Sequence, residues 1–91
     1  MKADFELKTE LRDIFNKYNL INIYESDKVN FDEYDPEINL VLKRFKKKIS
    51  LVKFTDKLHK IFIRMFGEII AGPKSKYKKL AREVYDLLNK N

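Results

Sequence analysis

Residues 50–67 read Ser-Leu-Val-Lys-Phe-Thr-Asp-Lys-Leu-His-Lys-Ile-Phe-Ile-Arg-Met-Phe-Gly. Phe54, Leu58, Ile61, Phe62, Met65 and Phe66 recur at the three- and four-residue spacing that puts side chains on one face of an α-helix, and Lys53, Lys57, Lys60 and Arg64 fall opposite. A stripe this rich in large apolar groups has to be covered by other elements. It therefore predicts the central member of a helical assembly. Ser50 supplies the cap and Gly67 the residue that ends the helix, because glycine takes a positive φ without steric penalty.

The flanking sequence supplies the cover. Towards the N-terminus, Asp35-Pro36-Glu37-Ile38 reads as a helix start: Asp35 accepts from freed backbone N–H groups and Pro36 has no N–H to satisfy. This second helix is expected to run to about Lys48, with Ile38, Val41, Leu42, Phe45 and Ile49 inward and the run from Lys43 to Lys48 at its negative end. A first helix is expected from about residue 4 to 18. Asp4 is its cap, Leu7, Leu11, Ile14, Phe15 and Tyr18 are its apolar face, and Asn19 ends it. Leu20 to Tyr24 has a β-like composition without a partner strand, so it reads as an extended segment laid over the core. Towards the C-terminus, Ile69, Ile70 and Ala71 cross to Gly72-Pro73. A fourth helix then starts near Ser75, with Tyr77, Leu80, Ala81, Val84, Leu87 and Leu88 inward. The expectation is a single all-α domain over residues 1–91, a compact four-helix bundle with the third helix at its centre.

Composition agrees with long elements and one core. Of 91 residues 44% are hydrophobic, and two glycines and two prolines leave few breaks. The absence of cysteine excludes disulfides and thiol chemistry and fits a cytoplasmic placement. No apolar run reaches the roughly 18 residues of a membrane span, and the N-terminus has no apolar signal core. Charge is divided along the chain: residues 1–37 carry net −5 and residues 38–91 net +11. A basic surface favours encounter with phosphates or acidic proteins, an acidic one with basic proteins.

No catalytic or cofactor motif is present, so the chain reads as a non-enzyme without a cofactor. His59 lies beside the apolar stripe and reads as structural. A triad built from Ser26, His59 and a distant aspartate has nothing to recommend it. The acids Asp27, Asp32, Glu33, Asp35 and Glu37 lack the alternate-position ligands and central glycine of a calcium loop, so they read as a solvated acidic loop plus a helix cap, not a metal site. Tyr24, Phe31 and Tyr34 are interleaved with those acids; such aromatics either fold back onto the core or anchor a protein partner.

Two readings of function follow. In the leading one the chain binds another protein, with Tyr24, Phe31, Asp32, Glu33 and Tyr34 as contacts. In the alternative, Lys46, Lys47, Lys48 and Lys53 near one turn, with Lys74, Lys76, Lys78 and Lys79 at the start of the fourth helix, meet nucleic-acid phosphates. Against the alternative, lysines outnumber arginines sixteen to four, and arginine is the residue suited to bidentate phosphate and base contacts. Self-association through Phe66, Ile69 and Ile70 is a third route.

The segment from Glu33 to Ile38, the run from Ile61 to Gly67, and Leu80-Ala81 with Leu87-Leu88 resemble a family of small bacterial helical proteins known only as a domain of unknown function. Its members have an acidic-Tyr-acidic segment before the second helix and an Ile-x-x-Phe-x-x-x-Phe-like helix after it. The family has a Trp-Asp-Pro segment where this chain has Tyr18-Asn19-Leu20, so the local turn departs from the pattern. The resemblance implies a compact helical fold and, because similar small proteins occur beside secreted toxins, an immunity role. It transfers no functional residue. In size, charge and helicity the chain is also similar to bacteriocin immunity proteins.

Overall fold

The computed structural model describes residues 4–23 and 32–90, the side chain of Asp4 excepted. They form an all-α fold of four long helices: α1 (Asp4–Tyr18), α2 (Asp35–Arg44), α3 (Leu51–Phe66) and, after the one-turn α4 (Glu68–Ala71) and a 3-10 turn (Lys74–Tyr77), α5 (Lys78–Lys90). No strand occurs among the described residues.

The third helix is central, as its stripe requires. It packs against α2 on one side and α5 on the other, and α4 and the 3-10 turn fold back on its C-terminal half. Phe54, Leu58, Ile61 and Phe62 are buried, whereas Met65 lies on the flank of the stripe and is exposed. α1 bridges α2 and α5 and reaches α3 through side chains. Phe15 stacks on Phe62 at 6.2 Å between ring centroids, and Phe62 meets the edge of Tyr77 at 5.1 Å. A second aromatic cluster of Phe45, Phe54 and Tyr85 closes the other end, and there the Tyr85 hydroxyl donates to the Ile49 carbonyl at 2.6 Å.

The helix ends explain where sequence expectations hold and where they shift. Ser50 caps α3, its Oγ accepting from the Lys53 N–H at 3.2 Å, and Gly67 ends it at φ 86° with its N–H on the Ile63 carbonyl. Asn19 ends α1 at φ 44°, a left-handed conformation asparagine tolerates. α1 runs from Asp4 to Tyr18, the bounds expected. Two expectations about boundaries are corrected. α2 ends at Arg44 instead of Lys48, because Phe45 turns extended (ψ 136°), which packs its ring against both Phe54 and Tyr85 and leaves Lys46, Lys47 and Lys48 in an exposed turn. The last helix is entered through the 3-10 turn, whose Tyr77 is buried and donates to the Ala71 carbonyl at 2.6 Å.

Residues 20–23 are turned, not extended. The Asn22 N–H closes on the Asn19 carbonyl at 2.9 Å, and Leu20, Ile21 and Ile23 still lie against the core. Ile69 and Ile70 belong to α4 rather than a crossing strand of chain, and both are exposed.

Candidate functional site

α3 and α5 run antiparallel: Phe54 meets Tyr85 near one end and Phe62 meets Tyr77 near the other. Between the first half of α3 and the start of α5 they leave an open groove of about 640 Å³. Leu51, Val52 and Thr55 of α3 and Tyr18 of α1 line its mostly apolar side. Val52 is 76% exposed although it is a large aliphatic residue in a helix that buries its aromatic neighbour Phe54 to 3%.

One wall of the groove is cationic. The 3-10 turn contributes Lys74, and α5 contributes Lys78, Lys79 and Arg82. Lys74 reaches Asp56 and Arg82 reaches Asp86, each at a loose 3.7 Å. Asp56 also takes Lys60 at 2.9 Å, and that bond, with the nearby charges of Lys60 and Lys74, holds its carboxyl below the usual carboxylate range. Glu83, the carboxylate lining the groove, is held by Lys17 at 2.6 Å and by the Tyr18 hydroxyl, which donates to its other oxygen. These two bonds lower the Glu83 carboxyl, and the same bond raises the Lys17 ammonium. Lys17 also lies 4.8 Å over the Tyr18 ring. The net field of the groove is positive.

The acidic-aromatic segment is placed differently from expectation. Tyr34 is buried at 1% exposure, packed on Phe15 and Phe62. It is thus a core residue, and the expectation of a partner contact at Tyr34 is corrected: its ring fills the corner between α1, α2 and α3. Burial pushes its hydroxyl up, opposed by backbone hydrogen bonds from Ile21 and Ile23. Asp32 and Glu33 are exposed. Tyr24 and Phe31, like Ser26 and Asp27, lie outside the described residues.

Asp35 does not cap α2. Tyr34 holds the cap position, and the Asp35 carboxylate is clamped by Arg12 through Nε at 2.8 Å and Nη2 at 2.6 Å. Glu37, expected as a solvated charge in the first turn, is 1% exposed. Its Oε1 has no hydrogen-bond partner, and burial raises its carboxyl to about 7. Among the described residues no cluster of acids or histidine has the geometry of a metal site.

His59 sits where the sequence placed it, half-buried at the edge of the stripe. Its Nε2 lies 2.8 Å from the Gly72 carbonyl and its ring 5.1 Å from Tyr77. With the Tyr77 bond to Ala71, this pins the chain at the end of α4.

Of the lysines proposed to meet phosphate, Lys74, Lys78 and Lys79 line the groove; Lys46, Lys47, Lys48 and Lys53 do not, and all are exposed. Lys76 is exposed on the 3-10 turn. Sequence reasoning missed the groove itself. The signal was Val52, an aliphatic residue lying off the stripe that runs through Phe54, Leu58 and Ile61.

No protein-family model, no curated protein and no solved structure matches the chain.

Proposed function

We propose that the chain is a non-enzymatic helical domain that binds another protein through the α3–α5 groove. The observation that carries this reading is the pairing of an aliphatic side at Val52 and Leu51 with a cationic wall at Lys78, Lys79 and Arg82. An apolar surface rimmed by charge is the usual anatomy of a recognition site: the apolar part gives affinity and the charges set orientation and on-rate. Covering Val52 alone is worth about 1.5 kcal/mol. No helix among the described residues is long and apolar enough to cross a membrane. Within this reading, an immunity or inhibitor protein of the cytoplasm is the narrower form, and exposed Asp32 and Glu33 offer a second, acidic contact.

The test is affinity capture at physiological salt with the wild-type chain and Val52→Glu as parallel baits. A protein retained by the wild type and lost by the variant supports the reading. Recovery of the same proteins by both baits, or of none, contradicts it.

Nucleic-acid binding is the second reading, favoured by the exposed turn lysines Lys46, Lys47 and Lys48 with Lys53 beside them. It predicts an electrophoretic shift whose affinity falls steeply with salt and weakens on charge reversal of the three turn lysines. No shift at low salt eliminates it.

A further inference from the structure

The wall of the groove is unevenly neutralised. Lys78 and Lys79 make no ion pair with a described residue, and Lys74 and Arg82 have only the loose 3.7 Å contacts already described. The carboxylate within the groove, Glu83, lies on α5 with the lysines but has its oxygens occupied by Lys17 and Tyr18, so its charge is already met from α1. Removing these cations from water beside an apolar surface is costly unless the incoming surface brings carboxylates to meet them.

The spacing of the wall constrains what meets it. Lys78 and Arg82 are one helical turn apart, about 6 Å along α5, and Lys79 stands beside them. On α3, Leu51 and Thr55, which also line the groove, repeat the same interval. Each of these rows spans about one turn of helix. A second helix laid along the groove presents side chains at the matching three- and four-residue interval on both of its flanks. A nucleic-acid strand matches the cations but leaves Val52, Leu51 and the Tyr18 ring facing phosphate and sugar.

We infer that the occupant of the groove is an acidic amphipathic helix of a partner protein, seating apolar side chains on Leu51 and Val52 and carboxylates against Lys78, Lys79 and Arg82. This rests on the protein-binding reading and specifies the partner's chemistry.

The experiment is selection from a display library of random peptides about 15 residues long, some four helical turns, on the wild-type chain. The enriched peptides are then titrated by fluorescence anisotropy against the wild type, Val52→Glu, the double reversal Lys78→Glu with Lys79→Glu, and Lys47→Glu as a charge reversal away from the groove. All four altered positions are exposed, and circular dichroism checks that each variant folds. The expected result is enrichment of net-negative sequences with apolar residues three and four apart. Their affinity falls at least about tenfold with Val52→Glu and with the double reversal, and is retained by Lys47→Glu. Exchanging the peptide's acids for lysine restores binding to the double reversal. Enrichment of basic sequences, enrichment without helical spacing, retention of affinity by the double reversal, or no enrichment each overturns the inference. No enrichment alongside a protein captured in a Val52-dependent manner overturns the acidic helix alone and leaves the protein-binding reading standing.

Discussion

The Tyr34 hydroxyl donates to Asn19 Oδ1 at 2.7 Å, joining the residue before α2 to the one that ends α1. Asn19 holds a left-handed backbone, so its side chain is aimed by the turn and not by a helix. The bond fixes the corner over which Phe15 and Phe62 pack. Tyr34→Phe keeps the ring and removes the donor, which should cost about 1 kcal/mol. Tyr34→Ala also empties the corner and should cost about 3–5 kcal/mol. Urea unfolding of the two variants separates these contributions, and equal losses would show that the ring contributes nothing beyond its hydroxyl.

Glu37 makes stability depend on pH in an unusual direction. Its folded carboxyl titrates at about 7, above the ordinary 4.5, so the native state holds a proton that the unfolded chain releases. That contribution is fully present below about pH 4.5 and is lost as pH rises through about 7. Glu37→Gln keeps the shape without the charge. It should gain about 2–3 kcal/mol at pH 8 and change little at pH 4.5. Chemical denaturation of both proteins at the two pH values checks the sign; a gain confined to low pH would contradict it.

Gly67 adopts φ 86° and ψ 162°, a region open essentially to glycine, and a Cβ built there meets nothing within 4 Å. Gly67→Ala should therefore destabilise by backbone strain alone, about 1–3 kcal/mol. Thermal melting measures it, and an unchanged midpoint would mean that the link between α3 and α4 relaxes without cost.

Arg12 and Asp35 tie α1 to α2 through two parallel bonds, each side chain about a quarter exposed. Arg12→Lys keeps the charge but not the paired geometry and should lose about 0.5–1 kcal/mol. A double-mutant cycle with Asp35→Asn reads the coupling directly. Zero coupling would assign the clamp no part in holding the two helices together.

These residues also mark how much of the molecule was legible in the sequence. The stripe on α3 and the Ser50 and Gly67 ends were readable because periodicity and capping are local properties. Local reasoning likewise placed the inner face of α5. The end of α2 was not readable, since Phe45 leaves the helix to reach Phe54 and Tyr85, partners that adjoin it only after folding. Asp35 matched the cap pattern, but Arg12 lies twenty-three positions away and takes its carboxylate. Glu37 looked like a first-turn surface acid because nothing local signals its burial. The groove is likewise a tertiary feature: Val52 is anomalous on one helix, but its cationic wall comes from another.

The most direct test of the groove as the recognition surface is site-specific photo-cross-linking. A photoreactive amino acid is placed at Val52 in one protein and at exposed Asp32 in another, and each is irradiated with the captured partner. The account predicts a covalent adduct from position 52 and a markedly weaker one, or none, from position 32. An adduct from position 32 with none from position 52 would contradict it and move recognition to the acidic segment before α2.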